Sequence, residues 1–276
     1  MGNNRAAVFV LLGQSNAVGH AIPMEETDKI CTPLKNVFGL KRETNQSFDN
    51  NGLYWSGYTS GEMNLAEEQD HTYSVANCLA KLWQDEIDNG NKHNLPDLYI
   101  VHIAIGAQGV TKGYMWNPDY ERKIIPGILG TVKISLYPFT THILSMVKKS
   151  LRDIGKSPDV IKIHWRGGET DAEVSTDLLR STLKETYYTL INGFCNELNE
   201  EVSIILHKLV CHERFMGMDP SGEILKRMHY INSIFEELTT EKENISIFDV
   251  CKAPFYVSDQ SRNGLFKDVS FTIRHK

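Results

Sequence analysis

The sequence predicts an α/β protein, a three-layer α/β/α domain built on a five-stranded parallel sheet wound in flavodoxin-like order. Three observations carry this. Short apolar runs alternate with longer segments of helical period along most of the chain. Five such short apolar strands separated by helices predict a parallel sheet covered on both faces. Gly, Pro, Asn and Asp punctuate the boundaries, and strands separated by helices imply βαβ units.

The first strand is Ala7 to Leu12, ending at Gly13. The stretch 72–87 carries Val75, Leu79, Leu82 and Trp83 at helical spacing, which predicts an amphipathic helix. A second strand, Asp97 to Ile105, follows Pro96 and stops at Gly106. Tyr137 to Leu151 reads as a helix with Pro138 in its first turn. Val160 to Trp165 is the third strand, and 175–198 is a long helix with Leu183, Tyr187 and Leu190 on one stripe. Val202 to Leu209, the helix from Gly222 to Leu238 and the strand Ile245 to Val250 complete the pattern.

Two stretches depart from it. Residues 21–71 have weak periodicity and are rich in Asn, Gly, Thr and Glu, with Phe38, Phe48, Tyr54, Trp55 and Tyr58 among them. A connection that long is usually functional or disordered, and its aromatics predict an ordered lid over a site. After the fifth strand no further helix is evident. One patch of the sheet then lacks its usual cover, and a partner subunit in a homo-oligomer or the long loop could supply it. No repeat or low-complexity linker divides the chain, so 1–276 is expected to be one domain.

The bulk numbers narrow the function. A net charge of −6 argues against nucleic-acid binding through a general basic field. No apolar run approaches the ~20 residues of a membrane span, and no export signal is legible, so a cytoplasmic protein without a membrane partner is expected. Five scattered cysteines without a C-x-x-C pair predict reduced, mostly buried thiols. The histidines show no H-E-x-x-H pattern, so no metal site and no cofactor are expected.

Sites in such sheets form beyond the carboxyl ends of the strands. After the first strand come Gly13-Gln14-Ser15-Asn16. After the second come Gly106-Ala107-Gln108-Gly109. After the third come Trp165-Arg166-Gly167-Gly168-Glu169-Thr170-Asp171. His207 and His212 follow the fourth, and Asp259, Asp268 and His275 follow the fifth. Ser15 could be a nucleophile or an ordinary turn serine.

Gly-Gln-Ser-Asn at the end of the first strand, a glycine loop after the second, and Trp165-x-Gly-Gly168-Glu169-Thr-Asp171 after the third resemble the SGNH hydrolases. The branch they resemble most is that of the sialate O-acetylesterases and carbohydrate esterase family 6. The resemblance implies the SGNH hydrolase fold and a serine esterase that removes O-acetyl groups from a carbohydrate, a sialic acid or an acetylated polysaccharide. It implies Ser15 as nucleophile, Asp268 and His275 as its carboxylate and base, and the backbone N–H groups of Ser15 and Gly109 as oxyanion donors. Gln14, Asn16, Gly167 and Glu169 would shape the oxyanion and substrate site, with Glu169 in a structural role. Two positions depart from the family. Gly167 stands where a glutamine is usual, leaving that donor absent unless Arg166 or Gln108 replaces it. Ser270 stands where the histidine belongs in the most natural register, with His275 seven residues after Asp268 and His212 as a further candidate.

Two alternatives stay open, and a third, the α/β-hydrolase, fits worse. A non-catalytic carbohydrate-binding or structural module would keep the fold without the base. A nucleotide-binding doubly wound protein lacks G-x-G-x-x-G and G-x-x-x-x-G-K-[ST] here. An α/β-hydrolase needs G-x-S-x-G, and Ala17 occupies the fifth position. Trp55 and Trp116 could line a sugar site or pack in the core.

Overall fold

The computed structural model describes residues 4–20, 24–42, 53–67, 73–121, 123–124, 132–133, 135–174, 177–198, 202–210 and 221–249. Its core is a seven-stranded, mostly parallel sheet between helical layers, a three-layer α/β/α arrangement. β1 (Arg5–Gly13) is central, paired in parallel with β4 (Asp97–Ala104) and β7 (Ser157–Arg166). β8 (Val202–His207) and β9 (Ile245–Phe248) continue the sheet in parallel beyond β7. Taken alone, the five strands expected from the sequence run β4-β1-β7-β8-β9, the flavodoxin-like order. Nearly every β1 residue is buried, which accounts for its unbroken apolar run.

The sheet has seven strands rather than five because part of the 21–71 stretch joins it. β2 (Val37–Arg42) pairs in parallel with β4, and β3 (Leu53–Gly57) pairs antiparallel with β2 at the edge. Trp55 lies on β3, donates its indole N–H to Ser150 Oγ at 3.0 Å and packs edge-on against Tyr99. This is an edge-strand packing role, at some remove from the rim where β1 ends. Farther along, residues 64–67 return to that rim. Leu65 N–H donates to the His102 carbonyl at 2.9 Å, and the Asn64 side chain exchanges bonds with the Ala104 backbone in both directions. A two-stranded hairpin, β5 (Lys123–Ile124) with β6 (Val132–Lys133), stands apart from the main sheet.

One face of the sheet carries α3 (Leu136–Asp153), α5 (Asp177–Leu198) and α6 (Glu223–Glu241), whose apolar stripes close over Val8, Val10, Leu12, Ile163 and Leu206. The other face carries α2 (Val75–Asp88) and the single turn α1 (Ser15–Val18), packed over Phe9, Leu11 and Ile100. α2 corrects its expected stripe. Leu82 is exposed, and the buried residues are Ala76, Asn77, Ala80 and Gln84. Small side chains bring α2 close to the sheet, and Gln84 Oε1 accepts the Lys35 and Asn36 N–H groups at 3.1 and 2.9 Å. A capping box of Ser74 and Asn77 opens the helix.

Among the described residues, the α2-side apolar core contains none from β7, β8 or β9. On β7, Lys162, His164 and Arg166 alternate half-buried with the fully buried Ile163 and Trp165. His164 Nδ1 and His207 Nε2 meet there at 2.9 Å. Burial holds both rings neutral, His164 at about 4. The cysteines are a partial correction. Cys31, Cys78 and Cys195 are free, but Cys31 is exposed and the other two are only half-buried. Among the described residues no helix is long and apolar enough to cross a membrane, and no three His, Cys, Asp or Glu side chains cluster as metal ligands do.

Candidate active site

Gly13 ends β1 with φ of 145°, and a Cβ there would lie 2.0 Å from the Arg166 carbonyl oxygen, so the turn requires glycine. Gln14 N–H donates to that same carbonyl at 3.1 Å, and the buried Trp116 indole donates to Gly13 O at 2.9 Å. Trp116 is therefore a core residue beneath the turn, stacked edge-on against Trp165, and does not line a sugar site. The chain then enters α1 with Ser15 as its first residue, where backbone N–H groups lack intrahelical acceptors. Ser15 is half-buried. From below, His102 Nε2–H donates to the Ala17 carbonyl at 3.0 Å. Complete burial lowers the His102 pKa to about 4, so the ring acts as a neutral strut.

The third motif closes over the first. α4 (Glu169–Val174) begins after the Gly167-Gly168 pair. The buried Glu169 carboxylate accepts Gln14 Nε2–H at 2.7 Å and Asn16 Nδ2–H at 2.5 Å, so both neighbours of Ser15 are fixed by one side chain. Burial pushes the Glu169 pKa up, opposed by the Asn16 bond and the Arg166 charge. The same arrangement holds Gln14 Oε1 near Thr170 N–H, at 3.4 Å.

Asp171 anchors the second motif. Its carboxylate accepts Val110 N–H at 3.2 Å, Thr111 N–H at 2.8 Å, Thr111 Oγ1–H at 2.5 Å and the Tyr187 hydroxyl at 3.2 Å. Gly109 lies directly on this carboxylate, and a Cβ there would stand 2.3 Å from Oδ1. At Gly167, by contrast, the nearest atoms to an added Cβ are 3.4 Å away on Trp165 and 3.6 Å away on Gln14, ordinary contacts. Gly109→Ala is expected to displace the loop or the Asp171 carboxylate and to lower the melting temperature by several degrees, as overpacking by one methyl costs about 1–3 kcal/mol. Gly167→Ala is expected to melt like the parent. Thermal melts on the two variants check the contrast.

The structure thus brings Gln14, Ser15, Asn16, Gly109, Gly167 and Glu169 to one rim. Gln108 turns its Oε1 to Met115 N–H at 3.1 Å, which commits the side chain to its own loop. Asp259, Asp268, Ser270 and His275 lie outside the described residues, as does His212. His20 and Glu67, paired at 2.9 Å, also stand at this rim, as does the strut His102, and sequence reasoning missed all three. His20 had one legible signal, its position five residues after Ser15. Glu67 is one acid among several in a polar stretch and had none.

No family model and no curated protein matches the chain. Among solved structures, the crystal structure of NanS superposes with a TM-score of 0.56 at 14% identity, covering 96% of this chain and 81% of that one. A carbohydrate acetylesterase from Xanthomonas citri superposes with a TM-score of 0.45 at 14% identity, over 88% of this chain and 50% of that one. The first likeness shows that the chain shares the fold of NanS.

Proposed function

We propose that this protein is a serine esterase that removes O-acetyl groups from a carbohydrate, a sialic acid or an acetylated polysaccharide. The observation that carries the reading is the convergence of three sequence motifs on Ser15. The buried Glu169 grips the residues on both sides of it, and Asp171 fixes the glycine loop alongside. A turn serine with no further role does not need two flanking amides held by a buried carboxylate.

In the proposed reaction, Ser15 Oγ attacks the acetyl carbonyl carbon while an imidazole takes the hydroxyl proton. The Ser15 and Gly109 N–H groups hold the negative charge that builds on the carbonyl oxygen, each such donor contributing ~3 kcal/mol to lowering the barrier. The tetrahedral intermediate collapses, the sugar oxygen leaves with the proton, and acetyl-Ser15 remains. Water then adds to the acyl carbon, giving up a proton to the imidazole, and acetate departs as Ser15 is reprotonated. The proposed imidazole is His275 oriented by Asp268. The reaction so written calls on no metal or organic cofactor.

A fluorophosphonate probe tests the nucleophile directly, with covalent mass added to the peptide that contains Ser15. Acetate release from O-acetylated sialic acid and from acetylated xylan then separates the two substrate classes. A protein that neither labels nor releases acetate would instead be a binding module on this fold, the reading that the glycine at position 167 favours.

A further inference from the structure

His20 and Glu67 have no part in the acyl transfer described above, yet they join its two halves. Glu67 Oε1 accepts His20 Nε2–H at 2.9 Å, and Glu67 Oε2 accepts Gly106 N–H at 2.7 Å. One carboxylate therefore spans the end of the Ser15 turn and the start of the loop that leads to Gly109. The His20 ring lies flat enough on that loop that a Cβ on Gly106 would come within 2.7 Å of its Cε1. On the other side, His20 N–H and Gly19 N–H both donate to the Ser15 carbonyl, at 3.2 and 2.9 Å, with Gly19 left-handed at φ of 92°. Glu67 is itself stationed by the Asn64 and Leu65 bonds to β4.

We infer that Glu67 and His20 form a clamp that sets the spacing between the Ser15 turn and the Gly106–Gly109 loop, which makes both of them positioning residues of the Ser15 site. The kinetic part of this rests on the esterase reading. The geometric part does not.

An exposed ion pair alone contributes little, and the His20 and Glu67 side chains are 40% and 31% exposed. This pair differs because the same carboxylate also takes a backbone N–H, a charge-assisted bond that fixes main chain. The electrostatics of the two groups favours the charged pair. The hydrogen bond to Glu67 raises His20 above the usual 6.5 despite partial burial. Burial pushes Glu67 up, but the His20 bond, the Gly106 N–H and the His20 charge together bring it below the usual 4.5. The imidazolium's contribution is complete below 6.5 and is lost as pH rises through the raised His20 value. The carboxylate's contribution is complete above 4.5 and is lost as pH falls through the lowered Glu67 value. The charged clamp is closed between those two limits. Among the described residues, Glu67 is the charged group that acts on the His20 ring, and His20 and the Gly106 N–H are the groups that act on Glu67.

The test compares the full chain with Glu67→Ala and Glu67→Gln. In Glu67→Ala, amide exchange over residues 104–111 should accelerate about tenfold. Turnover of p-nitrophenyl acetate should fall about tenfold with KM nearly unchanged. Glu67→Gln retains an acceptor for Gly106 N–H and should recover most of both. By NMR its His20 ring should titrate lower than in the parent. Unchanged exchange in Glu67→Ala, or a His20 titration that Glu67→Gln leaves in place, overturns the clamp. Should Glu67→Ala fail to fold, the Gln variant decides through the titration. If the parent neither turns over ester nor labels at Ser15, the esterase reading falls by itself, and exchange and titration alone judge the clamp.

Discussion

Replacing Ser15 by alanine is expected to lower kcat/KM for p-nitrophenyl acetate by more than about 1,000-fold while leaving the thermal melt unchanged. The size follows from the role. With the nucleophile gone, only the oxyanion donors and substrate binding remain, and such remnants accelerate hydrolysis over water by roughly 10³ to 10⁴. Stability should not move, because Ser15 is half-buried on a single helical turn and its neighbours, not its own hydroxyl, make the bonds to Glu169. Steady-state kinetics with a melt on the same samples checks both halves. A parent no faster than the alanine variant would remove the nucleophile assignment and leave a fold that binds without cleaving.

The largest effect on stability is expected at Asp171. Its carboxylate is fully buried and satisfies two backbone N–H groups and two hydroxyls. Removing it strands those donors in the interior, and leaving buried donors unsatisfied costs about 1–3 kcal/mol each, several kcal/mol together. For a chain of this size Asp171→Ala should lower the melting temperature by roughly 10 °C. Tyr187→Phe removes one donor together with one bond and should cost only about 1 kcal/mol. Calorimetry on the two variants separates a carboxylate that anchors the glycine loop from one that merely occupies space. Equal losses would mean that the loop is held by packing.

The parallel strands were legible because burial on both faces leaves β1 and most of β4 as apolar runs, while the second half of β7 alternates apolar and polar residues between turn signals. β2 and β3 were not, because the last two strands on that side of the sheet carry residues such as Gly39, Lys41 and Ser56 that read as loop. α2 was legible as a helix but not as to which face it buries, since close approach to the sheet selects Ala76 and Ala80 rather than the large residues at neighbouring positions. At the site, the placement of Gly109 against Asp171 and of Glu169 against Gln14 and Asn16 follows from motifs at the ends of adjacent strands, a regularity of the fold. Glu67 joins the site through the return of residues 64–67 along β4, a tertiary path that leaves no local pattern in sequence.

The position of β1 at the centre of the sheet also bears on how the chain folds. Residues 5–16 are made before both of their partner strands, β4 and β7, and the Gln14–Glu169 bond closes a separation of 155 residues. Contacts so distant along the chain incur their loop-closure entropy before they are rewarded, which slows folding. The most apolar strand of the molecule must therefore wait unpaired until β4 is synthesised, and with one open edge until β7 follows. A chaperone that shields short apolar segments would be expected to hold 5–13 until β4 and β7 are made.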